Sequence, residues 1–279
     1  MLDLKQGLFA GKRGVITGVA NADSIAWAIA RFIMEQGGEC GFTHLPDRPD
    51  DERQRNQRRV RLVTEKYPQA KFLMPMNVQK DEDIHAVVRR ARQEFGRIDF
   101  LLHSIAYADR EELKKETIDC SREGFLNAVD ISAFSLLALC GAFREIMSER
   151  SAVLAMSYLG GEKCVPGYNI MGVCKATLDA AVRYAAYELG PKGCRVNAIS
   201  AGPVRTLAGR AAGVDDMLKL YGEMAPLGRN ITHDEVGHSG AFLLSDLADG
   251  ITGEIVHLDG GYHMMGSPGR LLDRVKAGG

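Results

Sequence analysis

Two tyrosines and a lysine stand within one run of small and apolar residues, "SYLGGEKCVPGYNIMGVCK", at 157–175. Phenol and ammonium groups both donate hydrogen bonds, and together they can meet negative charge developing on a reacting carbonyl oxygen. Lys175 follows Tyr168 by seven positions. An α-helix turns by about 100° per residue, so a group seven residues on returns over the first, about 10 Å further along the axis. On a helix over 168–189, Tyr168 and Lys175 therefore share a face. A buried tyrosine and an unrelated surface lysine would give the same pair, so its meaning rests on what surrounds it.

The 279 residues are 46% apolar, enough for a full core and near the upper limit for one domain. Thirty-five basic residues stand against 36 acidic ones, a formal charge of -1, so no global field draws the chain to nucleic acid or anionic lipid. Cys40, Cys120, Cys140, Cys164, Cys174 and Cys194 form no C-x-x-C and none pairs with a histidine at zinc-ligand spacing. Reduced, mostly buried thiols in a cytosol are expected, with no metal site. The N-terminus mixes charges among short apolar pieces, unlike a signal peptide, and no stretch is expected to approach the roughly 20 apolar residues of a membrane span. These features imply a soluble cytoplasmic protein without nucleic-acid or membrane partners.

Apolar runs rich in β-branched residues recur at 13–18, 40–44, 71–78, 99–106, 152–157, 195–200 and 254–261. Runs apolar on both faces suit parallel strands covered by helices above and below. Between them, helices are expected at 24–36, 51–67, 81–95, 121–148, 168–189 and 233–245. The first opens at Ser24, a favourable N-cap, and stops at Gly37-Gly38. "THDEV" reads as a capping box, with Thr232 at the cap and Glu235 three residues on. This alternation implies an α/β Rossmann-type fold: a doubly wound, seven-stranded parallel sheet in one domain, with ligands beyond the carboxyl ends of its strands. No linker, repeat or low-complexity tract interrupts it.

"VITGVANADSIAWAIA" joins the first strand to the first helix, where a dinucleotide pyrophosphate would meet free backbone N–H groups and the positive end of the helix dipole. The three-glycine fingerprint is missing: Gly18 stands at the tight turn, and Ser24, Ile25 and Ala26 fill the later positions. "FTHLPDR" carries no acid at the immediate end of the second strand, though Asp47 follows three residues later, then Arg48. A carboxylate there favours NADH, whereas Arg48 or Arg53 could pair with the extra phosphate of NADPH. Asn77 and Val78 end the third strand and could flank an adenine. Ser104, Ile105 and Ala106 end the fourth, where small residues let a cofactor backbone pass.

"TGVANADSIA", "HSIA", "SYLGG", "YNIMGVCK", "RVNAISAGPVRTLA" and "GEIVHLDGG" occur in this order over residues 8–262. Together they resemble the enoyl-acyl-carrier-protein reductases of the FabI type, a divergent branch of the short-chain dehydrogenase/reductases. The Gly-x5-Ser-Ile-Ala loop and the Tyr-x6-Lys pair separate that branch from the parent superfamily, whose tyrosine and lysine stand four apart. The resemblance implies NADH-driven reduction of trans-2-enoyl thioesters to saturated acyl thioesters, the last reductive step of fatty-acid elongation. By the same analogy Tyr168 donates a hydrogen bond to the thioester oxygen, and Lys175 bonds the nicotinamide ribose hydroxyls. Tyr158 is the second active-site tyrosine, shaping the pocket or bonding the substrate.

For the cofactor the resemblance implies Gly18, Ser24, Ile25, Asn77 and Val78, then Ser104, Ile105, Ala106 and Lys175, and beyond the sixth strand Ala201, Pro203, Val204 and Thr206. For the substrate it implies Tyr107, Tyr158, Tyr168, Met171, Leu207 and Met217. A substrate lid is expected at about 203–228, with Leu207, Met217, Leu218, Tyr221 and Met224 covering a fatty chain, and a short tail at about 266–279. An acyl carrier protein is the implied partner and a homotetramer the implied assembly, with apolar faces from 121–148 and 168–189. Lids of the family often present basic residues to the acidic carrier, but here Asp215 and Asp216 precede Lys219, leaving Arg205, Arg210 or other surfaces for docking. The Arg-rich run "DERQRNQRRVRLVTEK" is interleaved with acids and lacks stacking aromatics, as on a solvated face. Two other readings stay open: a carbonyl/alcohol dehydrogenase of the wider superfamily, and a non-catalytic NAD(P)-binding sensor.

Overall fold

Each of the seven apolar runs becomes a strand: β1 (Arg13–Ile16), β2 (Glu39–His44), β3 (Ala70–Pro75), β4 (Ile98–His103), β5 (Met147–Ser157), β6 (Arg195–Ala201) and β7 (Ile255–Leu258). The computed structural model describes residues 7–206 and 214–272. All pairings are parallel and the sheet runs β3-β2-β1-β4-β5-β6-β7. The chain winds outward from β1 through β3, then crosses back to lay β4 against the other side of β1. Neighbouring connections therefore diverge where β1 meets β4, and that divergence opens a crevice at the carboxyl ends of the two strands.

Helices cover both faces, as strands without a polar side require. α1 (Ile25–Glu35) and α2 (Arg55–Thr64) pack on one face with a helix near the C-terminus, His233–Leu244. α3 (Asp81–Phe95) and α7 (Ile170–Leu189) cover the other. Between these two, in chain order, come the short α4 (Arg110–Lys114), then α5 (Arg122–Val129) and α6 (Ser135–Phe143). α8 (Val214–Met224) precedes α9 (His233–Leu244). The two clusters of buried apolar side chains meet only through the sheet: Ile29, Ile33, Phe42 and Val236 on one side, Val87, Leu136, Leu178 and Val182 on the other.

Local signals explain the better-placed boundaries. Asp81, Glu82 and Asp83 occupy the first turn of α3, where the helix dipole favours acids, and Gly96 ends it at φ +73. The capping box of α9 is complete: the Thr232 hydroxyl accepts from the Glu235 N–H, and the Glu235 carboxylate accepts from the Thr232 N–H. Ser24 precedes α1 but does not cap it. Its Oγ accepts instead from the Ala20 and Asn21 N–H groups at 2.9 and 3.0 Å, tying the preceding loop into a turn.

The helix expected over 121–148 is broken. A wide π turn, Asp130–Phe134, separates α5 from α6, and β5 begins at Met147. Two buried serines explain the break. Ser135 Oγ donates to the Ile131 carbonyl and contacts His103 Nε2, both at 2.7 Å, while Ser132 Oγ donates to the Tyr107 carbonyl at 3.0 Å. The same stretch corrects the expectation of no span-length apolar run: an 18-residue window within Arg122–Ile146 reaches a mean hydropathy of 1.7. One face of it is core, and Phe125, Leu126, Phe134 and Leu137 lie exposed on the other.

Gly18 is fixed by the crossing of β1 and β4. Its φ is +90, and a Cβ there would lie 1.9 Å from the Ser104 carbonyl oxygen. Gly18→Ala should cost at least about 2 kcal/mol from backbone strain and overpacking. Thermal denaturation should show a fall of about 4 °C or more; an unchanged midpoint would contradict the close approach.

Candidate active site

The crevice floor is backbone. Thr17 continues the β1 line, with its N–H and hydroxyl both donating to the Leu102 carbonyl at 3.0 and 2.8 Å. Gly18 then lets the loop pass against Ser104, a cradle that any side chain would fill. The N–H groups of Ile25 and Ala26 open α1 and have no intrahelical acceptor, so they suit an anionic group. This donor set and the glycine cradle fit a dinucleotide pyrophosphate.

The candidate tyrosines gather at the end of β5. Tyr158 follows Ser157 in extended conformation, and the backbone then turns through Leu159–Gly161. Its ring meets that of Tyr168 edge to face, with centroids 4.6 Å apart. Gly160 permits the contact, since a Cβ there would stand 2.5 Å from the Tyr168 ring. The Tyr158 hydroxyl meets the Tyr221 hydroxyl of α8 at 2.8 Å, and Tyr221 stacks on Tyr262 at 3.7 Å. Burial raises all three phenols, Tyr158, Tyr168 and Tyr221, well above their ordinary range, so each stays protonated at neutral pH and able to donate.

Lys175 projects from α7 into the same region and is only 5% exposed. Its Nζ donates to the Met156 carbonyl at 2.7 Å. Burial lowers its pKa to about 8 against the opposing pull of Asp179 and Cys174. A group with that value is about 90% charged at pH 7. His103, on β4, is buried as well, and desolvation followed by the Lys175 charge lowers it to about 3, so it is neutral. Among the described residues the site thus holds the Lys175 ammonium and protonated phenols, suited to receive negative charge from outside.

The geometry corrects the helical account of the seven-residue spacing. α7 starts at Ile170, so Tyr168 is not on the helix that carries Lys175. Gly167 at φ +83 and Asn169 at φ 45, ψ −126 flank Tyr168, and neither conformation belongs to an α-helix. Asn169 takes the second position of a type II′ turn, closed by the Met171 N–H donating to the Tyr168 carbonyl at 3.1 Å. The Asn169 amide donates to the Leu113 and Lys115 carbonyls, both at 2.8 Å, and so pins the turn to the C-terminal end of α4. Gly and Asn on either side of Tyr168 were the available signal, since both tolerate positive φ.

The other expected positions divide. Ala201, Pro203 and Val204 are buried where β6 ends, and Thr206 is half-buried just beyond. Ser104 and Ile105 lie half-buried after β4, with Ala106 exposed. Val78 belongs to the core, and the Asn77 side chain accepts from the Gln79 N–H at 3.0 Å. Met171 packs with Ile170 and Cys174 in a small cluster beneath Tyr168. Tyr107 is 48% exposed and donates its hydroxyl to Asp109. Met217 and Leu218 are half-buried on α8, but Tyr221, expected to cover a fatty chain, is turned into the tyrosine contacts. Asp47 accepts from the Asn56 and Gln57 N–H groups at 2.6 and 3.1 Å, so its carboxylate serves the first turn of α2. Leu207, Arg210 and the side chains of Asp215 and Asp216 lie outside the described residues.

Residues 18–263 match the family profile described as enoyl-(acyl carrier protein) reductase. Among curated relatives, an enoyl-acyl-carrier-protein reductase (NADH) of Nostoc sp. is 47% identical over 257 residues, covering 92% of this chain and 98% of that protein. The crystal structure of the corresponding enzyme of Aquifex aeolicus superposes with a TM-score of 0.88 at 43% identity, covering 94% of this chain and 100% of that one. A reductase of the same name from Anaplasma phagocytophilum, solved in complex with NAD, superposes with a TM-score of 0.87 at 41% identity, covering 94% and 97%.

The turn holding Tyr168 should be sensitive at Asn169. Asn169→Ala combines positive-φ strain with loss of both amide bonds, together about 2–3 kcal/mol, whereas Asn169→Gly loses the bonds alone. Thermal denaturation should rank the three proteins wild type, then Gly, then Ala; Ala equal to wild type would contradict the assignment.

Proposed function

The chain belongs to the enoyl-acyl-carrier-protein reductase family, and from that premise we propose how its own residues divide the work. It reduces trans-2-enoyl thioesters of acyl carrier protein to saturated acyl thioesters with NADH, in fatty-acid synthesis. NADH, when bound, supplies hydride to the β carbon of the enoyl group. As the carbon–carbon double bond opens, negative charge moves through the conjugated system onto the thioester oxygen. An enolate in a site poor in water needs a donor already aimed at it, because reorganisation during the reaction is then avoided.

Tyr168 is that donor, and its raised pKa keeps the phenol protonated across neutral pH. Lys175 holds the ribose hydroxyls and adds a positive charge close to the developing oxyanion. Tyr158 packs edge-on against Tyr168 and restricts its ring, while its own hydroxyl is engaged with Tyr221. Gly18, the N–H groups of Ile25 and Ala26, and the β6 end from Ala201 to Thr206 bind the rest of the dinucleotide. The observation that carries this reading is the buried Lys175 donating to the Met156 carbonyl at the carboxyl end of β5, where the chain goes on to the packed pair of Tyr158 and Tyr168.

The segment 203–228 serves as the lid over the acyl chain and excludes water from the hydride path. Half-buried Met217, Leu218 and Met224 on α8 support that role, because flexible thioether side chains adapt to an irregular chain. The assembly is a homotetramer. Exposed Phe125, Leu126, Phe134 and Leu137, with Tyr184 and Tyr187 on α7, supply apolar surface for it. The protein works in the cytoplasm, where the carrier-bound substrate is made.

Tyr168→Phe should lower kcat with an enoyl thioester by about 10²–10³, the cost of losing an oxyanion donor, and leave NADH affinity nearly unchanged. Lys175→Ala should raise the NADH dissociation constant about tenfold or more. Wild-type kinetics in both variants, or faster turnover of a β-ketoacyl than of an enoyl thioester, would overturn the assignment. The Lys175 charge is present below its pKa and lost as pH rises through about 8, so kcat/KM should hold from pH 6 to 7 and decline above pH 8.

A further inference from the structure

Asp179 stands one helical turn beyond Lys175 on α7 and is only 4% exposed. A carboxylate so deeply buried is costly unless something holds its charge. Ser157 Oγ, itself buried at the last residue of β5, donates to Asp179 Oδ1. The backbone leaves space for the second oxygen: a Cβ on Gly161 would lie 2.7 Å from Asp179 Oδ2. Met156, the residue before Ser157, provides the carbonyl that accepts from Lys175 Nζ. Adjacent residues of one strand end therefore hold the ammonium and the carboxylate.

We propose that Asp179 is a positioning residue for Lys175: its buried carboxylate, one turn along α7 and anchored by Ser157, is the counter-charge for the ammonium that the Met156 carbonyl holds at the strand end for the cofactor ribose. The proposal rests on the role given to Lys175 above. It goes beyond that role by assigning the counter-charge that lets an ammonium persist where water is scarce.

The surrounding charges bear this out in sign. Burial pushes Lys175 down, and Asp179 is the largest opposing influence, followed by Cys174 on the same helix. Across the sheet, His103 on β4 is neutral and contributes no opposing charge. Burial raises the Asp179 carboxyl, while the Ser157 hydrogen bond and then the Lys175 charge hold it down, with Glu162 and Arg183 as more distant influences. Tyr168 stays a neutral phenol in the same pH range. Burial raises the Cys174 thiol to about 11, so it is uncharged between pH 6 and 9, and removing the Asp179 charge leaves desolvation of Lys175 without that opposing charge, so the ammonium is lost at lower pH.

The test measures NADH affinity by fluorescence and kcat/KM with an enoyl thioester, both from pH 6 to 9, in wild type, Asp179→Asn, Asp179→Glu and Lys175→Ala. In Asp179→Asn the alkaline limb should move down by about one pH unit, making both quantities about fivefold worse at pH 8 while pH 6 stays near wild type. Asp179→Glu should restore most of the wild-type profile. A loss of equal size at every pH would assign Asp179 a structural role and overturn the proposal. So would an Asp179→Asn profile that superimposes on wild type while Lys175→Ala is impaired. Wild-type NADH affinity in Lys175→Ala would instead remove the lysine's own role. Should Asp179→Asn fail a circular-dichroism and melting check, Asp179→Ser, neutral and smaller, carries the same expectation.

Discussion

A lysine ammonium held almost out of water at the end of a parallel sheet is the constraint around which the site is organised. Taking an ion of that size from water costs several kcal/mol even after the protein relaxes, so its charge persists only with specific partners. The Met156 carbonyl supplies a hydrogen bond at 2.7 Å, and the electrostatic pull of Asp179 opposes desolvation. Desolvation wins part of the contest and brings the pKa to about 8, not far enough to neutralise the group at pH 7. In the reaction proposed above, that compromise has a use. A charge poorly solvated by water acts more strongly on an incoming enolate than the same charge at the surface.

The fold creates this place through topology. Winding outward to β3 and then restarting with β4 beside β1 leaves a crevice at the strand ends that needs no special sequence beyond room for the backbone. Gly18 supplies that room against Ser104. The next strand, β5, carries Met156 and Ser157 to its carboxyl end, and Tyr158 follows at once. Because adjacent strand residues point to opposite faces, one strand end can hold Lys175 through a carbonyl, engage Asp179 through a hydroxyl and present a tyrosine ring to Tyr168. α7 then needs only to carry Lys175 and Asp179 one turn apart on its sheet-facing side.

Much of this was legible in the residues. The strands announced themselves as apolar runs because both faces of a parallel sheet are buried, and only β5 began more than one residue earlier than expected, its polar Ser148, Glu149 and Arg150 masking the start. The α9 capping box was legible because its hydrogen bonds are local. Ser24 was misleading for the complementary reason: its type suits a cap, but the loop before it competes for the same oxygen. Tyr168 and Lys175 could be named as candidates from the sequence, whereas their geometry could not be read there. Helical periodicity gave a shared face for a tyrosine that sits on a turn, and the positive φ angles of Gly167 and Asn169 decide the matter. Tyr221 and Asp47 were assigned to ligands by position along the chain, but long-range contacts direct them to Tyr158 and to the start of α2. Pairings across tens of residues leave no periodic trace.

The central claim is that the Tyr168 phenol, beside the charged Lys175, meets the oxygen on which the enolate forms. A crystal structure of the protein with NADH and an unreactive enoyl thioester analogue measures this directly. The Tyr168 hydroxyl should lie within about 3.2 Å of the thioester oxygen. A thioester oxygen bonded by Tyr158 or by water, with Tyr168 turned away from it, would contradict the account.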